Sequence, residues 1–289
     1  MQESKDKDFY LQGTDAEKEH FSGSRGVSFE WNIIYQCNYR CSYCIFDGKW
    51  EEYGPRTVFK SVNELLEIWD RIYSLYGKAS IVFTGGEPTV YPDFFEFVSK
   101  LSAKHYPINI SSNGSGDLKR LCEICDNTKV SISISFHPEF DKAKTVIERA
   151  KFLKDKGFLA EFINYCCYPP HIPKLMDYVK MFKNNGLMIK AIPFCGQYEG
   201  KNYPDSYTAQ EKEILGINDV WEANVKRKGT LCAAGQKSAL IFPDGKVARC
   251  GQIGERVLVG NIFDENFKLL DKPQECDVDI CPCLKAVEA

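Results

Sequence analysis

The residues with the clearest potential for chemistry are three cysteines near the start of the chain. Cys37, Cys41 and Cys44 stand close together in a loop that we expect to follow a β-strand. Three thiolates are an incomplete set for a closed structural zinc site, but on a four-iron cluster they leave one iron without a protein ligand. Such an iron can bind a small molecule, which makes a cluster catalytic. A zinc ion completed by a fourth ligand elsewhere is the alternative that the spacing leaves open.

A second group of cysteines lies towards the end of the chain. The Pro-Asp-Gly run at 243–245 predicts a tight hairpin, which would fold Cys250 back towards Cys232. The group has one thiol more than the four that a zinc or iron–sulfur site needs, and the choice between Cys276 and Cys283 stays open. The cysteines of this group are Cys232, Cys250, Cys276, Cys281 and Cys283.

Composition limits the classes of protein to which the chain can belong. It has 13 cysteines in 289 residues, and in a cytosolic chain this excess indicates metal binding or catalysis rather than disulfides. A net charge of −3 offers no basic surplus for nucleic acid. No apolar run approaches the length of a membrane span, and residues 1–26 are polar and lack the apolar core of a secretory signal. We therefore expect a cytoplasmic protein that binds neither nucleic acid nor a membrane.

The elements that must position the cysteines alternate between strand-like and helix-like stretches. This alternation predicts parallel strands with helical crossovers, hence an α/β fold. Six units are too few for the closed eight-unit barrel, so a partial (β/α)6 barrel or a doubly wound sheet fits, and both bind ligands at the carboxyl ends of their strands. The predicted strands are residues 27–35, 79–84, 107–112, 130–136, 158–165 and 187–194.

Periodic apolar positions predict the helices between these strands. Ser61 and Glu64 form a capping-box pattern at the start of the first long helix, and its apolar face extends to Tyr73. After residue 195 the alternation stops, and loops, short helical pieces and the hairpin predict a small second module. The predicted helices are residues 61–76, 92–104, 117–125, 141–156 and 171–185.

Several residues follow directly on the predicted strands and should therefore share one rim. Gly85 and Gly86 lack side chains and let a ligand approach the backbone, although a plain turn is the alternative. Asn113 ends the next strand, where it either contacts a ligand or only forms a turn. Ser135 is a ligand candidate if its face of the strand is the barrel lumen. His137 follows it, and either touches a ligand or only leads into the next helix.

Two of these motifs resemble those of radical S-adenosylmethionine (radical SAM) enzymes. The run Cys-Asn-Tyr-Arg-Cys-Ser-Tyr-Cys at 37–44 is similar to the family's cluster-binding signature, with the aromatic Tyr43 before the third cysteine. The run Thr-Gly-Gly-Glu-Pro at 84–88 is similar to its second motif. The resemblance covers residues 27–194 and implies a partial barrel, in agreement with the number of strand–helix units.

The resemblance also implies a chemistry and its cofactors. A 4Fe–4S cluster held by Cys37, Cys41 and Cys44 would bind S-adenosylmethionine at its open iron and reductively cleave it to a 5′-deoxyadenosyl radical, which abstracts a hydrogen atom from a substrate. A reducing partner such as a flavodoxin or ferredoxin would supply the electron. The residues implied to bind the cofactor are Tyr43, Gly85, Gly86, Glu87, Asn113, Ser135 and Asn164.

The spacing from Cys232 through Gly245 to Cys250 resembles the opening of auxiliary-cluster modules called SPASM and, in shortened form, twitch. The number of cysteines implies one auxiliary 4Fe–4S cluster, with a four-cysteine zinc knuckle as the alternative. The implied domains are a polar N-terminal leader at 1–26, a radical SAM partial barrel at 27–195 and a twitch/SPASM-like auxiliary cluster module at 196–289.

Three functions follow from these features. The first is oxidation of a small polar, sugar-like substrate or a peptide, in which the auxiliary cluster accepts an electron from the substrate radical. The second is redox-neutral epimerisation, in which a thiol such as Cys195 returns a hydrogen atom. Cys195 and His137 are the candidate catalytic residues. The third is a non-enzymatic protein with two zinc or iron–sulfur sites that serves in binding or electron transfer.

Overall fold

The computed structural model describes residues 26–46, 49–160, 162–215, 225–226 and 228–281. The predicted leader at 1–26 lies outside these residues except for Gly26, and the predicted ligand Cys283 lies outside them as well. Cys281 is described by its backbone, as part of a short strand.

Six parallel strands form the frame of the molecule. Strands that are consecutive in the chain are hydrogen-bonded neighbours in the sheet. The helices lie in the connections between these strands. This arrangement confirms the predicted α/β fold with a partial barrel. The fifth strand lies further along the chain than predicted and includes both Cys166 and Cys167. The strands are β1 (Ser28–Ile34), β2 (Ser80–Gly85), β3 (Ile108–Ser112), β4 (Val130–Phe136), β5 (Phe162–Cys167) and β6 (Met188–Pro193).

The helices begin and end close to the predicted residues. The first long helix has the predicted capping box, in which Ser61 Oγ accepts from the Glu64 N–H and the Glu64 carboxylate accepts from the Ser61 N–H at 2.8 Å. Short 3₁₀ turns span Gly54–Arg56, Pro88–Val90, Pro169–Lys174 and Gly254–Arg256. The α-helices are α1 (Trp50–Tyr53), α2 (Val62–Tyr76), α3 (Phe94–Leu101), α4 (Leu118–Ile124), α5 (Ala143–Asp155), α6 (Leu175–Lys183) and α7 (Ala209–Leu215).

A group of aromatic side chains joins α2 and α3 to the sheet. Trp31 of β1 packs against Trp69 of α2 and Phe83 of β2, with ring centroids 5.8 and 5.6 Å apart. Phe97 of α3 lies edge-on to Trp31, with centroids 6.1 Å apart. All four side chains are almost completely buried. Burial of one large apolar side chain contributes about 1.5–3 kcal/mol, so this group is a main support of the strands below the candidate site.

The face of the six strands opposite this core is mostly polar, and we call it the lumen face. Residues at paired positions of parallel strands point to the same side of the sheet. Asn109 Nδ2 donates to the hydroxyls of Ser131 and Ser133, both at 3.0 Å, on this face. The residues on the lumen face are Ser28, Glu30, Asn32, Ser80, Val82, Thr84, Asn109, Ser111, Ser131, Ser133, Ser135, Phe162, Asn164, Cys166, Met188, Lys190 and Ile192.

Short strands follow the barrel strands in the rest of the described chain. Three antiparallel pairs lie outside the main sheet: β7 with β8, β9 with β15, and β10 with β14. Within the described residues, no helix is long and apolar enough to cross a bilayer. The short strands are β7 (Gly196–Tyr198), β8 (Lys201–Tyr203), β9 (Val225–Lys226), β10 (Leu231–Cys232), β11 (Ser238–Ile241), β12 (Lys246–Ala248), β13 (Leu258–Asn261), β14 (Gln274–Glu275) and β15 (Ile280–Cys281).

Three of the C-terminal strands extend the barrel sheet beyond β1. β11 pairs in parallel with β1, and β12 and β13 follow as antiparallel neighbours. The predicted hairpin joins β11 to β12, and Gly245 at its turn has a φ of +82°, which favours glycine. The strand–helix alternation gave no sign of the pairing of β11 with β1, since that pairing joins residues far apart in the chain.

Candidate active site

A cavity of about 360 Å³ lies at the carboxyl ends of the parallel strands. This is the position that the fold class predicts for a ligand site. Asn164 is the one predicted cofactor residue that does not line it, although it pairs with Ser135 in the register of β4 and β5. The predicted site residues that line the cavity are Cys37, Tyr43, Cys41, Cys44, Gly85, Gly86, Glu87, Asn113, Ser135, His137 and Cys195.

The three clustered cysteines lie in the loop that follows β1, as the sequence predicts. Cys41 is buried, whereas Cys37 and Cys44 are half-buried. The Cys44 N–H donates to the Cys41 carbonyl at 3.1 Å, which makes this part of the loop a turn. Burial raises the pKa of the Cys41 thiol to about 12, so iron that binds there must displace a proton. Among the described residues, no group of three His, Cys, Asp or Glu side chains is placed so that it could hold a single metal ion.

His137 contacts the cysteine loop directly. Its Nδ1 lies 3.4 Å from Cys41 Sγ and 3.0 Å from Tyr43 Oη. Burial lowers the pKa of His137, so the ring is neutral near pH 7 and carries one proton. Nδ1 therefore either donates to the sulfur or accepts from the Tyr43 hydroxyl. The sequence singled out both Tyr43 and His137, and the structure brings them together beside a cluster cysteine.

Glu139 also supports the cysteine loop, and sequence reasoning missed it. Its carboxylate accepts from the Ser42 N–H at 2.8 Å and from the Ser42 hydroxyl. Ser42 lies between Cys41 and Tyr43, so this contact holds the loop at the end of β4. His171 Nε2 lies 3.6 Å from the same carboxylate. A signal was available, since Glu139 follows His137 closely in the chain.

The aromatic residue Tyr39 ties the loop to the start of α5. Its hydroxyl donates to Asp141 Oδ2 at 2.8 Å, and Arg149 pairs with the other oxygen of Asp141 at 2.9 Å. The ring of Phe140 stacks on Tyr39 with centroids 4.9 Å apart. Besides its connection to β1, the loop is thus held at the end of β4 and at the start of α5.

Gly85 and Gly86 are required by close packing against the cysteine loop. A Cβ atom at Gly85 would clash with the carbonyl oxygen of Ile34, and one at Gly86 with that of Gln36. Gly85 also has a φ of +124°, and the Gly86 N–H donates to the Ile34 carbonyl at 2.7 Å. The structure therefore gives a reason for the two glycines that is independent of any ligand.

Glu87 is a buried carboxylate that joins the ends of two strands. It accepts from the Ser112 hydroxyl and the Asn113 N–H, both at 2.7 Å. It also accepts from the N–H and the hydroxyl of Thr89, at 3.1 and 2.7 Å. These four donors make Glu87 a structural bond between the second motif and the end of β3.

Asn113 bonds to the cysteine loop from the opposite side. Its Nδ2 donates to Asn38 Oδ1 at 2.9 Å, and its Oδ1 accepts from the Ser115 N–H at 2.9 Å. Asn38 in turn donates to the Ser115 hydroxyl at 2.7 Å. Asn113 is therefore a turn residue and also a support of the loop, a role that the sequence did not suggest, while its contact with a ligand stays a prediction.

Two thiols besides the clustered cysteines line the cavity. Cys166 ends the lumen face of β5, and Cys195 follows β6. Burial raises the pKa of Cys166 to about 12, and the nearby thiols of Cys195 and Cys41 act in the same direction. Cys167, the next residue, points to the core and is fully buried. Cys166 thus keeps its S–H bond at neutral pH and faces the same space as Cys195.

The C-terminal cysteines lie on segments that pair with each other. Cys232 in β10 pairs with Gln274 in β14, and the Cys276 N–H donates to the Thr230 carbonyl at 2.9 Å. The backbone of Cys281 pairs with Val225. Pairing of the segments 228–232 and 274–276 brings Cys232 and Cys276 to neighbouring stretches of backbone.

Known proteins resemble this chain. Residues 31–158 match the model of the radical SAM superfamily. The mycofactocin maturase MftC of Mycobacterium tuberculosis is 28% identical over 274 residues, which cover 83% of this chain and 68% of that protein. A GTP 3′,8-cyclase of Paenarthrobacter nicotinovorans is 26% identical over 133 residues, which cover 45% of this chain and 37% of that enzyme.

Solved structures share the fold at low sequence identity. The structure of anSMEcpe with bound AdoMet has a TM-score of 0.61 and 19% identity, and the match covers 82% of this chain and 75% of that one. SuiB of Streptococcus suis bound to S-adenosylmethionine has a TM-score of 0.58 and 15% identity, over 87% of this chain and 67% of that one. The six strands and the helices between them thus follow an arrangement already seen in these two structures.

Proposed function

We propose that this chain, which belongs to the radical SAM superfamily, cleaves S-adenosylmethionine at a 4Fe–4S cluster held by Cys37, Cys41 and Cys44. The proposal depends on the convergence of these three thiols on one cavity with the residues of the second motif. When bound, the cluster supplies the electron that breaks the C5′–S bond, and the resulting 5′-deoxyadenosyl radical abstracts a hydrogen atom from the substrate. Three thiols fit a cluster that keeps one iron open to the cofactor.

The residues of the rim would orient the cofactor and hold the loop that binds the cluster. Glu87 and Asn113 use their polar atoms within the protein, which makes the loop rigid before the cofactor arrives. The backbone at Gly85 and Gly86 borders the cavity and would face the methionine amine. Ser135 would offer its hydroxyl to the ribose, and Asn164 would act from the paired position on β5.

We infer a polar substrate from the composition of the lumen face. In closed barrels this space is filled by branched apolar side chains, whereas here most positions carry hydroxyls or amides, with one carboxylate and one ammonium. Glu30 and Lys190 supply those charges, and burial raises the pKa of Glu30. A small polar, sugar-like molecule or a polar segment of a peptide suits such a lining. The relatives, a mycofactocin maturase and a GTP 3′,8-cyclase, are compatible with either.

The fate of the substrate radical separates two reactions. In the first, a C-terminal auxiliary 4Fe–4S cluster accepts one electron from the substrate radical, which completes a two-electron oxidation. The cysteines on the paired segments 228–232 and 274–276, with Cys250, support this assignment. A small redox protein such as a flavodoxin or ferredoxin would deliver the electron that starts the cycle.

The second candidate is epimerisation, which the two cavity thiols favour. The substrate carbon radical would take the hydrogen atom of an S–H bond, and the resulting thiyl radical would need one electron and one proton from the reducing partner. Cys195 is the thiol that the sequence suggested, and Cys166 shares its cavity. Uptake of one solvent deuterium per turnover marks this route, whereas the oxidation leaves no deuterium in the product.

Anaerobic reconstitution tests the class of enzyme. We expect about eight irons per chain, as two four-iron clusters require, and formation of 5′-deoxyadenosine from S-adenosylmethionine with a strong reductant. Replacing Cys37, Cys41 and Cys44 by alanine should remove about four irons and abolish 5′-deoxyadenosine. Cys122→Ala in α4 is the matched control and should change neither quantity. Zinc at both sites, or no affinity for S-adenosylmethionine, would contradict the proposed enzyme and favour the non-enzymatic protein with two metal sites.

A further inference from the structure

Arg249 is an almost completely buried arginine in the C-terminal part of the chain. It follows β12 directly and precedes Cys250. Arg249 is only 3% exposed. The activity proposed above gives this residue no role, and the sequence did not single it out.

The guanidinium binds backbone carbonyls of two different segments. Nε donates to Ala234 at 2.9 Å, and one terminal nitrogen donates to Cys232 at 3.2 Å. The other terminal nitrogen donates to Glu275 at 2.6 Å, and Gln274 accepts a further bond. Arg249 therefore clamps the segment that contains Cys232 to the segment that leads into Cys276.

These contacts use the hydrogen-bond donors of Arg249, but none of the described residues compensates its charge. Among the ion pairs between described residues, none includes Arg249. Carbonyl oxygens are dipoles and carry no net charge. A buried cation without an anion is costly, and proteins normally place a negative group beside it. The position thus calls for an anionic partner in its immediate surroundings.

Three of the predicted auxiliary ligands flank this cation. Cys232 offers its own carbonyl to the guanidinium, Cys250 is the next residue in the chain, and Cys276 follows Glu275. An iron–sulfur cluster with four thiolate ligands carries net negative charge. We propose that Arg249 is the positioning residue and counter-charge of the auxiliary cluster, an inference that rests on the presence of that cluster in the proposed function.

The proposal has two physical consequences. The clamp fixes the spacing of the segments that bear Cys232 and Cys276, so its loss should lower the occupancy of the cluster. The positive charge stabilises the reduced, more negative cluster, so its loss should shift the reduction potential to more negative values. A purely structural clamp would affect the occupancy and leave the potential of the remaining clusters unchanged.

The test uses the full chain with Cys37, Cys41 and Cys44 replaced by alanine, so that only the auxiliary cluster remains. In this background Arg249→Met removes charge and clamp, whereas Arg249→Lys keeps the charge. Arg256→Met, on an exposed arginine nearby, is the matched control. Iron and sulfide per chain are measured after anaerobic reconstitution, and the midpoint potential is measured by an EPR-monitored redox titration. Circular dichroism verifies that each variant is folded.

We expect R249M to lose at least half of the iron and to titrate at a more negative potential, while R249K stays closer to the parent and R256M matches it. Equal iron content and equal potential in R249M and the parent would overturn the proposal. Equal shifts of the midpoint potential in R249M and R249K would overturn the role as counter-charge. If R249M does not fold, R249K decides. This variant keeps the charge, so the proposal expects its midpoint potential to stay close to that of the parent, and a clearly different potential would overturn the role as counter-charge.

Failure of the proposed function is distinguishable from failure of this inference. If the parent background with the three alanines binds no iron–sulfur cluster, then the auxiliary cluster itself is absent and the assignment of the C-terminal cysteines is wrong. If the background binds a cluster and Arg249 has no effect on it, only the inference about Arg249 is wrong.

Discussion

At the scale of single residues, the rim of the cavity depends on side chains that accept several hydrogen bonds at once. Glu87 is 1% exposed and joins β2 to β3 through Ser112 and Asn113. An ionised carboxylate suits this position, since both of its oxygens only accept. The same group explains why a glutamate follows the two glycines of the motif, whether or not it also contacts the cofactor.

Glu87→Gln tests this role. The amide replaces one acceptor by a donor, which then faces an N–H or O–H group in a buried place. We expect a loss of about 1–3 kcal/mol in the free energy of unfolding, measured by urea titration of the cluster-free protein. Glu67→Gln, on an exposed position of α2, is the control and should stay within about 0.5 kcal/mol of the parent. Equal stabilities of the two variants would contradict the assignment.

The contact between Glu139 and Ser42 leads to a second prediction at the scale of single residues. Removal of its carboxylate in Glu139→Ala frees Ser42 and hence the loop between Cys41 and Tyr43. In a background with Cys232 and Cys250 replaced by alanine, we expect a chelator to remove iron several-fold faster than from the parent background. Glu148→Ala changes an exposed glutamate of α5 and should leave the rate unchanged. A rate unaffected by the loss of Glu139 would show that the loop does not need this anchor.

At the scale of elements, His105 joins the middle of α2 to the residue that precedes β2. Its Nδ1 accepts from the Ala79 N–H at 3.1 Å, so Nε2 carries the proton and donates to the Trp69 carbonyl at 3.0 Å. Burial lowers the pKa of His105 below its ordinary value of 6.5, although the bond to Trp69 acts in the opposite direction. The neutral ring is therefore the form that connects the two elements.

The pH dependence of stability follows from this shift. Below pH 6.5 the unfolded chain binds a proton at His105 that the native chain does not. The free energy of unfolding therefore decreases as the pH is lowered, until the pH reaches the lowered native pKa. His105→Gln keeps an acceptor and a donor but does not titrate. We expect the parent to lose more stability than this variant between pH 6.5 and about 5 in urea titrations. Parallel curves for the two proteins would contradict the prediction.

The boundaries of α2 and α5 show what a local pattern can predict. The capping box of Ser61 and Glu64 is a contact between near neighbours, and the helix begins there as expected. Tyr73 was placed on the apolar face, yet it is 43% exposed, because Ile68 takes part in the buried face instead. The helix predicted from residue 141 begins at Ala143, since the Asp141 carboxylate binds Tyr39 and Arg149.

At the scale of the whole molecule, β1 lies between β2 and β11 and is protected on both sides. Further contacts fasten the C-terminal part to the barrel: the Val58 N–H donates to the Pro243 carbonyl at 3.0 Å, and Arg71 donates to the Ile262 carbonyl at 2.6 Å. The division predicted at 195/196 is therefore crossed by sheet pairing as well as by individual hydrogen bonds.

Truncation tests how far the barrel depends on these contacts. A chain that ends at residue 195 exposes the hydrogen-bonding edge of β1 and the apolar side chains packed on β11. We expect it to aggregate, or to unfold at a clearly lower temperature than the full chain in a calorimetric scan. A chain that ends at residue 281 keeps β11, β12 and β13 and is the control. A stable, monomeric fragment 1–195 would show that the barrel folds independently.

The sequence by itself determined the features that depend on near neighbours and on short periods. The cysteine spacing, the glycines at the end of β2, the alternation of strands and helices and the hairpin at 243–245 were all readable, because each is encoded within one loop or one element. Only the tertiary structure decided that β11 pairs with β1, that Glu139 anchors Ser42, and that Arg249 joins two cysteine-bearing segments. These contacts join residues distant in the chain, and their geometry arises only when the packed sheet brings the separate loops together.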